Sequence, residues 1–364
     1  MRPSSPIALV GSESLLGREI RDLAATADPR LHLRLIAADE EKSGTLTRLG
    51  DEPAVVEELD QDTLSRARAV LLAGSAESSR KALELAGDAP DFAIVDLTYA
   101  AEERPDARLR APMVEFGMAE IGMMEIGMVE FEMAEPEDGL PESALQRAPE
   151  DAAVHVIAHP AAIALAMFLR RLQFHDPIRR SVIQIFAPAS EHGVKGVEEL
   201  QNQTVSLLSF KSLPQAVFDA QIGFTMLAKY GQEAPIALDE SELRIERHLA
   251  TLLGLPGDGE GAPMPSLRLI QAPVFHGYSF SAWVEFEENP GVEALENGLA
   301  IPAVDVRTGE LDPPNNVGQA GQNGISIGAI APDRNQPEAC WFWLTADNLR
   351  LAAENAVMVA RQLV

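Results

Sequence analysis

The turn Gly11-Ser12-Glu13-Ser14-Leu15-Leu16-Gly17 has residue types suited to holding phosphate. It lies between an apolar run, Ile7-Ala8-Leu9-Val10, and an amphipathic stretch that begins near Arg18. In a strand–turn–helix of this kind, glycines permit a tight bend and close approach of a pyrophosphate to helix N–H groups. Ser14 stands where the middle glycine would be, and Glu13 puts a negative charge where phosphate oxygens would lie. A second turn, Gly74-Ser75, follows the apolar run 69–72. Gly11, Ser12, Ser14, Gly17, Gly74 and Ser75 are therefore candidate dinucleotide contacts. Proton transfer would fall to histidine and tyrosine. His276 stands two residues from Tyr278, so both share a face if a strand reaches that far. His159 and His192 are further residues of a type suited to acid–base work. No close ligand spacing accompanies the three imidazoles, so no metal is expected. His32, His155, His175 and His248 have no partner visible in the sequence and read as incidental. The single cysteine, Cys340, lies in the apolar run Ala339-Cys340-Trp341-Phe342-Trp343 and reads as a buried structural thiol.

The elements that must position these residues follow an alternating pattern. Strands are predicted at 7–10, 33–37, 69–72 and 92–97, with helices at about 18–25 and 77–85 between them. Strands alternating with helices imply a parallel sheet with crossovers. Met113, Met118, Met123, Met128 and Met133 then recur every five residues, each with Glu two positions on. That period fits neither helix nor strand, so the Met/Glu segment 113–140 is expected to be an acidic surface insertion. The second half holds longer apolar strands, predicted at 182–186, 267–275 and 278–286. A strong helix runs from about 346 to 363, with Asp347 near its start and Arg361 near its end to complement the dipole.

At 364 residues and 46% hydrophobic content, the chain is long enough for two domains with substantial cores. No run of 18 apolar residues reads as a membrane span. No apolar core suggests a signal peptide. One cysteine suits a reducing compartment, so a cytoplasmic location is expected. The net charge of −27 argues against nucleic acid or an anionic membrane as partner.

Several ordered pieces resemble the aspartate-semialdehyde dehydrogenases, in particular a cysteine-less, Usg-type branch. Val10-Gly11 to Gly17-Arg18-Glu19 is similar to that family's dinucleotide turn. Leu72-Ala73-Gly74-Ser75 is similar to its Ser-Ala-Gly-Gly-Ser loop. Ser190-Glu191-His192-Gly193 with 196–200, the segment 273–279, and Ala346-Asp347-Asn348-Leu349-Arg350 with Asn355-Ala356-Val357 continue the likeness in order. Val156-Ile157-Ala158-His159-Pro160-Ala161-Ala162 resembles the Asn-Pro-Asn-Cys loop. The resemblance implies a Rossmann-like parallel-sheet domain (1–151, carrying the insertion). It also implies an α+β dimerisation domain with a mostly antiparallel sheet (152–341) and a C-terminal helix (342–364) packing back on the first domain. It implies a homodimer and NAD or NADP, with Asn348 among the cofactor contacts.

Position by position, the same resemblance predicts lost chemistry. The nucleophile falls on Ala162, and the acid/base histidine on Tyr278. The substrate-clamping arginine falls on Gln271 and the glutamine beside the reacting carbon on Ala187. The phosphate-binding arginine falls on Glu102, with Arg104 nearby. The Glu-x-Lys pair survives as Glu242 and Arg244. The arm Ala38-Asp39-Glu40-Glu41 replaces a pattern whose arginine favours the 2′-phosphate of NADP, so NAD is favoured if a cofactor binds. The expectation is a protein inactive in the family reaction that binds an unidentified small molecule or partner. The alternative is an NAD(P)-dependent oxidoreductase of altered substrate and mechanism, built on Tyr278 and the three histidines.

Overall fold

The computed structural model describes residues 6–27, 31–87, 90–115, 154–255, 261–309 and 312–363. The first apolar run is strand β1 (Ile7–Val10), buried at every position, as the interior of a parallel sheet requires. Helix α1 (Leu15–Ala27) crosses to β2 (Leu33–Ile36). A two-stranded hairpin, β3 (Leu46–Leu49) and β4 (Glu52–Val55), precedes the short helix α2 (Gln61–Ser65). Asp60 and Thr63 close a capping box on α2. Next come β5 (Ala69–Leu72), α3 (Ala76–Ala86), β6 (Ala93–Asp96), β7 (Ala107–Arg110) and α4 (Pro112–Glu115). Strand β8 (Val154–Ile157) lies past residue 151 and pairs between β6 and β7 in this first sheet. The order is β2-β1-β5-β6-β8-β7, parallel throughout. It reverses direction between β1 and β5, the switch point at whose carboxyl ends open parallel sheets place their ligand crevice.

From β8 the chain enters helix α5 (Pro160–His175), with proline at a first-turn position where its missing N–H costs nothing. Beyond it lie β9 (Ile178–Ala187), α6 (Gly193–Leu208), α7 (Leu238–Leu253), β10 (Ser266–Gln271) and β11 (Tyr278–Phe286). Then follow α8 (Val292–Leu299), β12 (Val304–Arg307), α9 (Asn316–Gln319), β13 (Ile325–Pro332), β14 (Ala339–Ala346) and α10 (Asn348–Leu363). The second sheet runs β10-β9-β11-β14-β13-β12. Its three central pairings are antiparallel and its two outer ones parallel. One face packs on α5, where the Phe168 and Phe342 rings meet edge to face at 5.1 Å. Cys340 lies on that inner side, fully buried. Helix α10 returns to α1 and the first sheet.

Several predicted boundaries move for local reasons. The strand predicted at 267–275 stops at Gln271: the Ala272 N–H makes the last bond to β9, at the Ala187 carbonyl, and Pro273 has no N–H to continue the ladder. The terminal helix starts at Asn348 rather than 346: Ala346 ends β14, and Asp347 caps α10 by accepting the Leu349 and Arg350 N–H groups. Met113, read as the first residue of the acidic insertion, sits in α4 and is buried, its N–H bonded to Asn355 Oδ1 at 3.1 Å. The rest of the Met/Glu repeat lies outside the described residues.

Candidate functional site

At the crevice, Gly11 follows β1 with φ +83°, and a Cβ there would stand 2.3 Å from Gly74 N. Glycine alone lets the two turns touch. Ser14 caps α1: its Oγ accepts the Gly17 N–H at 2.8 Å and donates to the Ala73 carbonyl at 2.7 Å. Gly11 and Ser12 N–H groups both go to the Ile36 carbonyl. Ser12 is buried. The Glu13 N–H donates to Glu41 Oε1 at 3.0 Å. Glu41 Oε2 also takes the Ala38 N–H at 3.2 Å. Ser75, the cap of α3, gives its N–H and Oγ–H to the Glu40 carboxylate at 2.8 and 3.0 Å. Asp39 pairs with Lys81 on α3 at 2.5 Å. The nearest cations on α1, Arg18 and Arg21, are turned to the Glu13 carboxylate. Burial raises the Glu41 carboxyl above its ordinary range, against the hydrogen bonds from Ala38 and Glu13 that lower it. A dinucleotide phosphate needs the Glu13 and Ser75 donors, and both are taken by side chains of the same charge. As they stand, these residues do not fit a bound dinucleotide.

Ala162 lies in the first turn of α5, fully buried. His159 caps that helix, its Nδ1 accepting the Ala161 N–H at 3.2 Å. That bond leaves Nε2 as the donor, and it faces Glu191 Oε1 at 2.8 Å. Tyr278, at the start of β11, donates its hydroxyl to the other Glu191 oxygen at 2.7 Å. Burial raises the Glu191 carboxyl, but the His159 contact and the Tyr278 hydroxyl lower it by more, to about 2. Burial first, and then the adjacent Glu191 charge, push the Tyr278 hydroxyl well above its ordinary value.

A second carboxylate extends the network. The His159 N–H donates to His248 Nδ1 at 2.9 Å, and His248 Nε2 meets Glu102 Oε1 at 3.2 Å. Arg244 and Arg247 also bond Glu102, at 2.9 and 3.1 Å. Burial raises Glu102, while His248 and Arg244 outweigh it and hold the carboxyl at about 2. The loop carrying Glu102 is pinned by Asp96, which accepts the Thr98 and Ala101 N–H groups. Within that loop Tyr99 adopts φ +63°, a costly conformation for a bulky residue. Its ring stacks on His159 (5.8 Å between centroids) and lies 4.7 Å beneath the Arg244 guanidinium.

The predicted site residues therefore separate. His159 and Tyr278 come together on Glu191, at the start of the helix that carries Ala162, with Arg244 reaching them through Glu102. Gln271 is buried and saturated: it accepts the Tyr230 hydroxyl at 2.6 Å and donates to the Ala187 and Ala272 carbonyls. His192 bonds that same Tyr230 hydroxyl at 3.0 Å. Glu242 instead accepts the Leu269 N–H and pairs with Arg268, away from Arg244. His276 sits on the loop before β11, its carbonyl bonded to Asn316. No group of three or more His, Cys, Asp or Glu among the described residues is arranged to hold a metal. Asn348 accepts Ser190 Oγ–H and the Gly277 N–H, so this oxygen ties α10 to the second domain rather than facing the crevice. His248, read as incidental, is a link of the network. Its signal was the spacing from Arg244, four residues on one face of α7. Tyr99, Glu191 and Tyr230 carried no local signal.

The semialdehyde dehydrogenase dimerisation domain matches residues 169–351. A USG-1 protein homolog from Pseudomonas aeruginosa is 29% identical, covering 98% of this chain and 97% of its own. The aspartate-semialdehyde dehydrogenase of Rickettsia bellii is also 29% identical, over 58% of this chain and 63% of that one. Among solved structures, a probable aspartate-semialdehyde dehydrogenase from Pseudomonas aeruginosa superposes with a TM-score of 0.74 at 25% identity, covering 98% of each chain. A Candida albicans aspartate semialdehyde dehydrogenase with NADP shares the fold, with a TM-score of 0.62 at 13% identity over 99% of this chain and 98% of that one.

Proposed function

The chain belongs to the semialdehyde dehydrogenase family, and on that premise we propose that it is a non-catalytic member, keeping the fold and pairing surface without the reaction. The observation that carries this reading is the methyl group of Ala162, fully buried where the family resemblance places the attacking thiolate. An aldehyde carbon needs a nucleophile, and loss of one alone removes on the order of 10⁴- to 10⁶-fold in rate. Its neighbours do not inherit the task. Tyr278 is held protonated and committed to Glu191, so it is no base at neutral pH. Ser190 is buried and bonded to Asn348. Cys340 lies on β14, buried, its thiol raised by burial.

The substrate's anionic groups also lose their hosts. Gln271 is neutral and its hydrogen bonds are filled. Arg244 is matched by Glu102. A second carboxylate, Glu191, occupies the pocket beside His159. Glu102 itself stands where the resemblance places the phosphate-binding arginine.

What remains is a binding protein. The outer face of the second sheet presents Val182, Phe186, Trp283, Trp341 and Trp343, all exposed or half-buried, and it carries all three tryptophans of the chain. Trp283 stands opposite both Trp341 and Val182 in register. Such an aromatic face suits a homodimer interface. Were a dinucleotide admitted, Asp39, Glu40 and Glu41 would favour NAD over NADP, whose 2′-phosphate would meet carboxylates.

The test is reduction of NADP by the unmodified chain with aspartate semialdehyde and phosphate. The expected rate equals the protein-free control. Turnover in the ordinary enzyme range of about 1–10³ per second would overturn the reading.

A further inference from the structure

We infer that the dinucleotide crevice is held shut by the chain's own arm after β2, with Glu40 and Glu41 standing in for the phosphates. The inference goes beyond the absence of a nucleophile and does not depend on it.

Three consecutive acids of this arm reach three separate anchors across the β1–β5 switch point. Asp39 pairs with Lys81 on α3. Glu40 takes both donors of Ser75, at the N-terminus of an eleven-residue helix. Glu41 takes the Glu13 N–H of the glycine turn and the Ala38 N–H of its own arm. The arm thus bonds both turns that the strand order brings together. It also passes close to the second turn: a Cβ on Gly74 would stand 2.7 Å from the Ala38 methyl.

Charge-assisted hydrogen bonds from backbone N–H to carboxylate are the strong kind, and a helix N-terminus adds to the one at Ser75. A dinucleotide must break these bonds and bring its own negative charge beside the displaced acids. Arg18 and Arg21 do not offset that charge, because both face Glu13. Acidic side chains therefore do more here than repel the 2′-phosphate. They occupy the donors that any pyrophosphate needs, so NAD is excluded along with NADP.

Isothermal calorimetry with NAD and with NADP separates the possibilities. The unmodified chain is expected to bind neither at 1 mM, by order of magnitude the upper end of ordinary working affinities. Removal of both carboxylates, Glu40→Ala with Glu41→Ala, is expected to bring NAD binding at least tenfold below that concentration. Glu40→Arg with Glu41→Ser is expected to shift the preference to NADP. Circular dichroism and thermal melting establish that each variant is folded. If a double variant does not fold, Glu40→Ala alone decides, since it removes a partly exposed contact and is expected to give a weaker gain of the same sign. Micromolar binding of either dinucleotide by the unmodified chain overturns the inference. So does a folded variant lacking both carboxylates that still binds neither. Dinucleotide binding by the unmodified chain without turnover would overturn this inference and leave the non-catalytic reading intact, whereas turnover by the unmodified chain would sink both.

Discussion

Glu191→Gln isolates the charge in the pocket. In the native chain one oxygen receives His159 Nε2–H at 2.8 Å and the other the Tyr278 hydroxyl at 2.7 Å. The carboxyl is lowered from 4.5 to about 2, so the folded state prefers it ionised. The sign follows from linkage: a depressed carboxyl stabilises fully above pH 4.5, and the contribution fades as pH falls through about 2. Its size is on the order of 3 kcal/mol, and the side chain, only 18% exposed, is little screened by solvent. Glutamine keeps the shape and one acceptor but removes the charge. Urea unfolding is expected to give a loss of about 2–3 kcal/mol at pH 7, shrinking steadily below pH 4.5. Glu191→Ala is expected to lose more at every pH, because it strands two buried donors. A gap between native chain and glutamine variant that stays constant from pH 7 to pH 3, or is absent at pH 7, refutes the assignment of Glu191 as a buried, ionised acceptor.

Two further outcomes are expected. Ala162→Cys should restore no semialdehyde turnover, because Tyr278 and Gln271 still stand where the family resemblance places the acid/base and the substrate clamp; a rate in the ordinary enzyme range, read by NADPH absorbance, would refute the proposed roles of those two positions. Trp341→Glu places a charge on the outer face of the second sheet, where Trp341 is 40% exposed, and should convert a dimer to monomer in analytical ultracentrifugation without loss of helical content.

The sequence showed the first sheet best where burial is continuous. Residues 7–10 and 69–72 are apolar throughout and buried on both faces, a pattern that solvent-facing elements do not produce. Strand β7, Ala107-Arg108-Leu109-Arg110, alternates arginine at a sheet edge and gave no such run. The hairpin β3–β4 is mostly exposed and was missed for the same reason. In the site, Ala162, Tyr278 and Gln271 could be singled out one position at a time. The carboxylates beside them could not, because Glu191 meets His159 across 32 residues and Glu102 meets His248 across 146. The arm 38–41 was readable as acidic. That its acids would take the donors of the two turns depends on β2, β1 and β5 lying side by side, which no local pattern contains.

These separate departures share one physical requirement. A pocket built to receive an anion is lined with donors, and donors buried without a partner cost about 1–3 kcal/mol each. On the non-catalytic reading proposed above, no reaction keeps the pocket open for substrate, and the donors still need acceptors. Glu102 satisfies Arg244, Arg247 and His248, and Glu191 satisfies His159 and Tyr278. Glu40 and Glu41 do the same for Ser75 and Glu13 at the crevice. Part of the chain's strong negative charge therefore points inward, at donors that substrate and cofactor phosphates would otherwise claim. Removing Glu102 or Glu191 should then destabilise the fold before it restores any binding, whereas Glu40, whose contact with Ser75 is solvent-exposed, can be replaced with the fold intact.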